Sequence, residues 1–597
     1  MLKDFYLSAR AAALAAQTSE RRRSRRLAAA RGLSFVLAVL ALAGGYDGSA
    51  GLTALGIALL FVFARLVVCH RRTARQLALL AAQLTAVGGV LARMDERWRS
   101  LAEDGATRGQ DAPPQFLDLH VFGPSSLYQY LCRARTQAGR DRLAAAFRTA
   151  SPAGEARTYV LRRHTAIEEL VSRPQLSLTL ETYGALLPEG QDLTPLLAAL
   201  AQPHPVPRLR VLACAVLPAL TLAACAAGLA GAVPLLVPGA LIAFSFLLTW
   251  LTERRSAKAL ALLVPLAEAA GAYREIFRTL EGASFTSPHL QALQRTLRGD
   301  GEAASAGLKS LARLAAAVGW RRNFFFSFLA NGLFLFDFAA GLLFAHWCRR
   351  AGARLAPALA VWNECEVLLS LSTLAAAREQ TVFPTFLEGA PRLTATALQN
   401  PLLPEEAAVP NDAVLTAETT IITGSNMSGK TTWLRTIGMN VLLAWTGAPV
   451  CAASFSLSPL ALYTSIRVDD SLAAGMSTFY AELLRIKEMV EAEKTGRPLL
   501  LLIDEIFKGT NSADRITGAR AALRHLTNDR SITLVSTHDF ELCDLTVPGA
   551  AIENAHFEEH YEDGKIAFDY RLRAGRCRTT NAVYLLRLVG IVDEEPT

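Results

Sequence analysis

Long apolar runs dominate the N-terminal half of the chain. They cover residues 27–45 and 51–68, and again residues 211–229 and 233–251. A helix needs about 20 apolar residues to cross a bilayer, so each pair of runs predicts a transmembrane helical hairpin. Basic residues lie at both ends of each pair, and the positive-inside rule then predicts that both ends are cytoplasmic. A cleaved signal peptide is the alternative for the first run, but the second run and its basic flank argue against cleavage.

Shorter apolar runs near the C-terminus have the pattern of strands in a parallel sheet. Residues 499–503 are continuously apolar, and residues 531–535 are largely so. Such strands are covered on both faces by helices. Asp504 and Glu505 follow the first run and His538 follows the second, at the sheet edge where ligands of α/β proteins bind. The pattern predicts an α/β domain with a site at this edge.

A glycine-rich turn follows a third apolar strand end. The segment reads Gly424, Ser425, Asn426, Met427, Ser428, Gly429, Lys430, Thr431 and Thr432, and it satisfies G-x-x-x-x-G-K-[ST]. Glycines allow consecutive backbone N–H groups to point at phosphate oxygens, and the dipole of the following helix adds positive potential. In this pattern Lys430 reaches the β- and γ-phosphates, and the Thr431 hydroxyl binds Mg²⁺. A chance glycine loop is the alternative for this pattern taken alone.

The acidic residues that end the first strand, and the histidine after the second, have side chains suited to NTP hydrolysis. Asp504 would hold Mg²⁺ together with Thr431, and Glu505 would orient or polarise an attacking water. His538 is a candidate sensor of the γ-phosphate, although a lone histidine is more often structural. Together these features predict a Mg²⁺-dependent NTPase with Lys430, Glu505 and His538 in the catalytic roles.

Five segments in order resemble motifs of the MutS family. Residues 423–431 resemble its phosphate loop, whose Asn-Met pair is unusual among NTPases, and residues 504–512 resemble its acidic strand end. The other three segments are residues 475–482, 537–542 and 554–557. On these motifs the C-terminal part is identified as a MutS-type ATPase domain.

The resemblance implies an α/β P-loop NTPase domain of the ABC/MutS type, with ATP and Mg²⁺ as ligands. It also implies a homodimer, because in the family the loop that contains Ser477 crosses the interface and caps the partner's γ-phosphate. A simple helix N-cap is the alternative role for Ser477 and is compatible with a monomer. Ala408 stands where many members have an aromatic side chain against the adenine, so by analogy we expect His556 to contact the nucleotide. Asn400 stands where the family usually has histidine.

These patterns divide the chain into six segments. An all-α core and lever region, interrupted by the two transmembrane hairpins, is followed by the ATPase domain. The six segments are a basic cytoplasmic N-terminus (1–26), transmembrane hairpin 1 (27–72), a helical region similar to the MutS core (73–207), transmembrane hairpin 2 (208–255), a helical region similar to the lever and clamp (256–385) and the ATPase domain (386–597). Residues 324–347 are also apolar, but Asn331, Asp337 and His346 interrupt them. A fifth span would export the ATPase domain away from its ATP, so we expect a buried core helix there.

The composition favours a protein with membrane segments, but it does not show whether the protein binds nucleic acid or anionic lipid. Apolar residues make up 52% of the chain, which is high for a soluble protein. The net charge of +8 suits nucleic acid or anionic lipid and does not separate them. Nine cysteines without a C-x-x-C pair are expected to be reduced thiols rather than a disulfide framework or zinc site.

Two functions remain open at this point. The first is a MutS-type ATPase that the apolar runs anchor in the inner cell membrane, with a cytoplasmic ATPase domain. The resemblance implies that this domain is coupled to mismatched or branched DNA. The alternative is a membrane ATPase that drives a membrane partner or process without DNA. Residues 4–7 lack the glutamate of the family's Phe-x-Glu wedge, so no mismatch reader is recognisable. A transporter is a third option, but intramembrane acids and a polar pathway are not evident.

Overall fold

A computed structural model of the chain describes most of its residues. The described ranges are 2–46, 48–149, 155–188, 197, 206, 208–299, 302–319, 324–467, 478–508, 512–562 and 565–577. The chain forms two compact units. The helical unit comprises Met1–Leu91, Ala134–Arg140 and Arg173–Glu366, and the α/β unit comprises Ala92–Arg133, Asp141–Ser172 and Val367–Thr597.

Helices account for most of the described secondary structure. In chain order they are α1 (Leu2–Gly45), α2 (Ala50–Met94), α3 (Pro114–Asp118), α4 (Leu127–Leu131), α5 (Gln137–Arg148), α6 (Glu155–Ser172), α7 (Pro174–Gly184), α8 (Arg208–Leu229), α9 (Leu236–Gly282), α10 (Pro288–Arg298), α11 (Ala304–Gly319), α12 (Phe324–Phe334), α13 (Phe336–Trp347), α14 (Ala353–Leu371), α15 (Thr373–Ala377), α16 (Lys430–Thr446), α17 (Thr478–Glu493) and α18 (Ser512–Leu526).

Three described helices are long and apolar enough to cross a membrane: α1, α2 and α8. A fourth span is obtained if a bent pair of helices that starts at Phe325 is counted as one. The apolar part of α9, Leu236–Leu251, is shorter than these spans. By length and composition, these helices are consistent with the predicted apolar runs. Helix α2 continues without a break from its apolar run into the amphipathic stretch that follows it.

The expected core helix over residues 324–347 is interrupted at Leu335. Helix α12 and the helical stretch Phe336–Leu371, which starts with α13, meet there with a bend of 76°, and Leu335 has a left-handed φ of +51°. The side chains of Asn331 and Asp337 explain how the chain turns. The Asn331 amide donates to the Asp337 carboxylate (3.1 Å), and its carbonyl oxygen accepts from the Asp337 backbone N–H (2.9 Å). These polar groups stabilise a break where an apolar pattern predicts a continuous helix.

Two sheets organise the α/β unit. The strands are β1 (Thr385–Phe386), β2 (Arg392–Leu398), β3 (Asn411–Thr416), β4 (Thr419–Thr423), β5 (Ser454–Leu457), β6 (Ala461–Ser465), β7 (Leu499–Asp504), β8 (Ser531–Ser536), β9 (Ile552–Glu562) and β10 (Lys565–Ala574). The six-stranded sheet has the order β10-β9-β4-β8-β7-β6 and is parallel except for β10. The four-stranded sheet has the order β1-β5-β2-β3.

The central strands confirm the sequence pattern of a mixed α/β fold. Every residue of β4, β7 and β8 is buried, as expected for strands covered on both faces. Their register aligns Asp504 with Ser536, so the polar residues that end β7 and β8 share one sheet edge. This edge carries the candidate site.

The division into units differs from the predicted segment boundaries. Residues 73–207 were expected to form one helical region, but Ala92–Arg133 and Asp141–Ser172 belong to the α/β unit. A close fit of side chain to backbone supports this membership. A Cβ atom at Gly438 of α16 would lie 2.6 Å from the Leu119 side chain, so glycine makes room for Leu119. Sequence periodicity could not show this, because it reports which face is apolar and not which element covers it.

Candidate active site

The glycine-rich turn connects β4 to α16 with a backbone that few residues can adopt. Gly424 has φ +149° and Gly429 has φ +108°. A Cβ atom at Gly424 would lie 2.7 Å from the Ser428 hydroxyl and 2.8 Å from the Phe557 carbonyl oxygen. Met427 also has a positive φ of +70°, and 86% of its surface is exposed. The two glycines are therefore required by both conformation and space.

Lys430 is held inside the turn at the first position of α16. Its Nζ donates to the carbonyl oxygens of Gly424 and Ser425, each at 2.8 Å. The residue is only 5% exposed. Burial lowers the pKa of Lys430, and the nearby Glu505 and Asp504 carboxylates act in the opposite direction. The turn thus encloses a cation that can exchange carbonyl partners for an anionic ligand.

Three oxygen-bearing side chains meet at the carboxyl end of β7. The Thr431 hydroxyl donates to Asp504 Oδ2 at 2.8 Å, and the Ser536 hydroxyl donates to Asp504 Oδ1. Asp504 is 8% exposed and ends a fully buried strand. Hydroxyl and carboxylate oxygens are ligands that Mg²⁺ prefers, and Mg²⁺ usually binds only one or two protein carboxylates. Among the described residues, no group of three or more His, Cys, Asp or Glu side chains could hold a metal ion.

Glu505 and His538 form a pair beside this cluster. His538 Nε2 lies 2.9 Å from Glu505 Oε1, and Lys508 Nζ lies 3.4 Å from Glu505 Oε2. The hydrogen bond from His538 lowers the pKa of Glu505 to about 2, although burial opposes the shift and Lys508 adds to it. Glu505 also has an unusual φ of +53°, a conformation that tends to occur at functional sites. The carboxylate is therefore charged and oriented at neutral pH.

A second ion pair supports the histidine. Arg515 on α18 contacts both carboxylate oxygens of Asp539, at 2.8 and 2.7 Å. The backbone N–H of Asp539 in turn donates to the Thr537 hydroxyl oxygen at 2.9 Å. A bidentate Arg–carboxylate pair has a defined geometry. It fixes the residue directly after His538.

A pocket of about 500 Å³ opens next to the turn. Of the predicted site residues, its wall includes Asn426, Met427, Ser428, Gly429, Lys430, Thr431, Thr432 and Glu505. Ala408 and Asn400 also line it, together with Phe557 and Tyr570. The volume suits a ligand of nucleotide size. Asp504 adjoins the wall through Thr431, and His538 adjoins it through Glu505.

Other predicted residues have different positions. His556 pairs with the Gly575 carbonyl oxygen (2.9 Å) and does not line the pocket, although strand pairing aligns it with Thr423, the residue before Gly424. The Ser425 hydroxyl donates to the Glu559 carboxylate, away from the wall. Ser477 lies outside the described residues.

Asn400 has a clear role in the wall. It is 7% exposed, its amide donates to the Thr436 hydroxyl at 3.1 Å, and its carbonyl oxygen accepts from the Leu402 N–H at 2.9 Å. Because Thr436 lies on α16, Asn400 ties the wall segment to the helix that begins with Lys430. An amide can make both bonds where the family usually has histidine.

Tyr570 lines the pocket, although the sequence did not predict it as a site residue. Its ring lies beside Gly429, since a Cβ atom there would be 3.2 Å from Tyr570 Cδ1. The residue has φ +53° and is 44% exposed. Strand β10, antiparallel to β9, brings the ring to the pocket. The sequence signal was an aromatic residue on the last strand, but only the fold links it to the turn.

Comparison with known proteins places the similarity in the same part of the chain. The model of the family "MutS domain V" matches residues 420–594. DNA mismatch repair protein MutS of Thermus thermophilus is 34% identical over 249 residues, which are 41% of this chain and 30% of that protein. MutS of Aquifex pyrophilus is 36% identical over 191 residues, 31% of this chain and 22% of that protein. MutS 2 of Haloarcula marismortui is 33% identical over 175 residues, 29% of this chain and 18% of that protein. The chain therefore matches less than a third of the length of these relatives.

Proposed function

We propose that this chain, which belongs to the MutS family through its C-terminal part, is a Mg²⁺-dependent ATPase. We further propose that its long apolar helices anchor it in a membrane. The observation that carries the ATPase proposal is the cluster at the end of β7. The Thr431 hydroxyl and the Asp504 carboxylate lie 2.8 Å apart beside a buried lysine, in a turn of the P-loop pattern. In this proposal residues 386–597 form an ABC/MutS-type ATPase domain.

Each residue of the cluster has a separate role in ATP hydrolysis. The Lys430 ammonium group binds the β- and γ-phosphates, and the backbone N–H groups of residues 424–432 cradle them. Thr431 and Asp504 would hold Mg²⁺, which supplies charge stabilisation at the phosphate oxygens when bound. Glu505 polarises the attacking water, and His538 keeps that carboxylate charged and oriented.

The aromatic ring of Tyr570 is proposed to pack against the nucleotide base. Ala408 offers no ring on its side of the pocket, whereas Tyr570 is a half-exposed ring in the pocket wall. His556 is a weaker candidate for this contact because its Nδ1 is engaged with Gly575.

The active form is proposed to be a homodimer with two composite sites. Ser477 of one protomer would complete the site of the other by adding hydroxyl and backbone donors at the γ-phosphate. Hydrolysis would then require two closed subunits, which gives an ATP-driven cycle of opening and closing.

The membrane assignment is supported by the three long apolar helices α1, α2 and α8. We propose two hairpins, residues 27–72 and 208–255, in the inner cell membrane. Basic segments such as 1–26 and the ATPase domain would face the cytoplasm. Residues 73–207 and 256–385 would connect the hairpins to the ATPase domain.

Coupling to mismatched or branched DNA is the first candidate for the purpose of hydrolysis. Its support is the name of the relatives, DNA mismatch repair protein, and their similarity to the ATPase part of this chain. The match leaves out more than two thirds of each relative, so we propose DNA binding for this chain only by similarity to their ATPase part.

A membrane process is the second candidate, and a specific observation favours it. Apolar side chains such as Leu33, Leu40 and Phe61 are 62%, 62% and 74% exposed on long helices. Contiguous exposed apolar surface of this kind marks contact with a membrane or a partner. In this alternative the ATPase acts on a membrane partner without DNA.

ATP hydrolysis by the full-length protein in lipid nanodiscs tests both candidates. The assay is run without DNA and with homoduplex, mismatched and four-way-junction DNA. Glu505→Gln is expected to bind ATP and to lower kcat by about 10²- to 10⁴-fold. Glu491→Gln is the matched control, because this carboxylate is 58% exposed on α17 and pairs only loosely with Lys487.

The outcomes separate the proposals. Stimulation by DNA that weakens as salt rises supports the DNA-coupled function. Hydrolysis that ignores every DNA but responds to lipid composition supports the membrane function. Wild-type rates in Glu505→Gln would contradict the assigned site.

A further inference from the structure

The carboxylate of Asp118 collects four hydrogen bonds from the ATPase part of the chain. Asp118 ends helix α3, far from the motifs in sequence, and is fully buried. Its Oδ2 accepts from the Thr464 hydroxyl (2.6 Å), the Ile466 N–H (3.1 Å) and Arg485 (2.7 Å). Its Oδ1 accepts from the Arg467 N–H (2.9 Å).

These partners border the segment that contains Ser477. Thr464 lies in β6 and Ile466 and Arg467 follow that strand, whereas Arg485 lies on α17, which begins directly after Ser477. Arg485 also donates to the Arg467 carbonyl oxygen at 3.1 Å. One carboxylate therefore fixes the residues before the segment to the helix after it.

The backbone of Asp118 contacts the helix of the phosphate-binding turn. Arg435 Nε donates to the Asp118 carbonyl oxygen at 2.9 Å. Arg435 is on α16, one turn after Thr431, so the same residue touches the helix that starts with Lys430. Asp118 thus joins three elements: the end of β6, helix α17 and helix α16.

We infer that Asp118 is a positioning residue that couples the nucleotide-binding helix α16 to helix α17. This inference rests on the proposed ATPase function. Through Asp118, nucleotide binding at α16 would change the position of α17 and so contribute to closure of the proposed dimer. A buried ion pair can stabilise a fold without any connection to a functional site. Asp118 differs because its partners are the elements that flank the proposed trans-acting segment.

The test is the kinetics of Asp118→Asn in full-length protein, with Glu103→Gln as control. Glu103 pairs with Arg108 at 2.8 Å in the same part of the chain. We expect kcat to fall roughly three- to thirty-fold while KM for ATP stays within about twofold. Asp118→Glu should recover part of kcat, and Glu103→Gln should match wild type.

Arg485→Gln provides a second variant, because it removes one partner and leaves the backbone bonds of Asp118. Equal kcat in wild type and folded Asp118→Asn would overturn the inference, as would an equal loss in Glu103→Gln. Unfolding of both Asp118→Asn and Arg485→Gln would assign the carboxylate to the fold alone and also overturn it. If wild type does not hydrolyse ATP, the proposed function itself fails.

Helices α1 and α2 contact each other through two pairs of residues. Phe35 and Phe63 are in ring contact with centroids 5.3 Å apart, and Leu42 lies against Gly56. Both pairs share one antiparallel register. In such an antiparallel pair, the residues of α1 before Phe35 and the residues of α2 after Phe63 extend towards the same end.

The arginines of the two helices therefore lie at the same end of the hairpin. We define the arginine belt as Arg21, Arg22, Arg23, Arg25, Arg26, Arg71, Arg72 and Arg75. All eight are exposed. Glu20 is the one acid among residues 15–30 and 65–80, and its carboxylate lies 3.4 Å from Arg23. The exposed apolar residues of both helices begin within about two turns of the belt.

We propose that the arginine belt binds anionic phospholipid head groups. A cluster of about four to eight basic residues next to a membrane helix attracts anionic lipid, and guanidinium forks match phosphate oxygens. Nucleic acid carries the same phosphate chemistry, but the apolar surface beside the belt fits a bilayer and not a duplex. The proposal rests on the proposed membrane anchoring.

The test measures lipid selectivity of the full-length protein in bilayers of phosphatidylcholine with phosphatidylglycerol. Spin-labelled phosphatidylglycerol reports its preference for the protein surface. Replacing Arg22, Arg25 and Arg26 with glutamine should lower that preference about tenfold at low salt. Replacing the exposed Arg295, Lys309 and Arg313 removes the same charge and should leave the preference unchanged.

An unchanged preference in the belt variant would overturn the proposal. Loss of salt-dependent DNA binding in that variant, with unchanged lipid selectivity, would assign the belt to nucleic acid and overturn it too. A protein that stays in solution without detergent or lipid would contradict the membrane anchoring itself.

Discussion

The two units use similar apolar residues in opposite ways. In the α/β unit, strand β7 is buried at all six positions, and Leu501 is 0% exposed. In the helical unit, helices α1 and α2 carry rows of large apolar side chains, with Phe61 74% exposed. The α/β unit covers its apolar strands with its own helices, whereas the helical unit needs a cover from outside the chain. A bilayer supplies such a cover without any specific partner.

Polar groups follow the same contrast. At the ends of β7 and β8 they gather at an open sheet edge, where Thr431, Asp504 and Ser536 can receive a ligand. In the helical unit, Asn331 and Asp337 bond to each other at a helix break. The first arrangement is suited to chemistry and the second to shaping the chain.

The largest effect is expected when a charged residue replaces a buried apolar residue of the central sheet. Leu501→Asp buries a carboxylate in the central sheet and is expected to destabilise the α/β unit by more than about 4 kcal/mol. Nucleotide binding should be lost, and thermal unfolding in detergent should show the loss of this unit.

Phe61→Asp is the matched substitution in the helical unit. It should leave nucleotide binding in detergent intact but weaken membrane insertion, by about 3 kcal/mol if Phe61 lies near the bilayer centre. Membrane fractionation and thermal unfolding measure the two effects. If Phe61→Asp unfolds the protein in detergent as Leu501→Asp does, the contrast between the units is wrong.

The next effect concerns the polar pair at the helix break. Asn331→Leu removes the two bonds to Asp337 and should destabilise the helical unit by about 1–3 kcal/mol. Thermal unfolding of the purified protein in detergent measures this change. Ser327→Ala is the control, because its bond from Asn331 is long at 3.4 Å and its loss should matter little. An unfolding temperature unchanged by Asn331→Leu would show that the break does not depend on this pair.

A comparable but local effect is expected at Tyr570. Tyr570→Ala removes the ring from the pocket and should raise KM for ATP about tenfold, in line with about 1–3 kcal/mol for stacking of a base on an aromatic ring. Tyr570→Phe keeps the ring and should keep KM close to wild type. Equal KM values for wild type and Tyr570→Ala would contradict the proposed base contact.

The smallest effect is a shift in pH dependence. His538 lowers the pKa of Glu505 to about 2, so in wild type this carboxylate stays charged as the pH falls below its ordinary value near 4.5. The stabilising contribution of the pair is present above about pH 4.5 and is lost as the pH falls towards 2. In His538→Ala the pKa should rise, and the acid limb of kcat should move to higher pH.

The kcat profile measured from neutral to acidic pH tests this shift. Lys508→Gln should move the acid limb in the same direction by a smaller amount, because its contribution to the pKa is smaller. An acid limb that moves to lower pH in His538→Ala would refute the assigned coupling.

Much of the fold and of the site could be read from local sequence. Continuous apolar runs predicted the central strands, and the polar residues after them predicted the functional edge, because parallel strands present their carboxyl ends together. Continuity of the helices was harder to predict. Asn331 and Asp337 stand out as polar residues in the apolar stretch, but the sequence does not show that they bond to each other across a left-handed Leu335.

The sequence by itself determined the phosphate-binding turn, the acidic strand end and the apolar helices. Each is encoded within a short stretch, by glycines that permit positive φ, by a lysine and hydroxyl at fixed spacing, or by length and hydropathy. Only the tertiary structure decided that Tyr570 faces the pocket, that His556 does not, and that Asp118 joins β6, α16 and α17. These placements depend on strand pairing and packing between residues distant in the chain, and residue spacing does not record them.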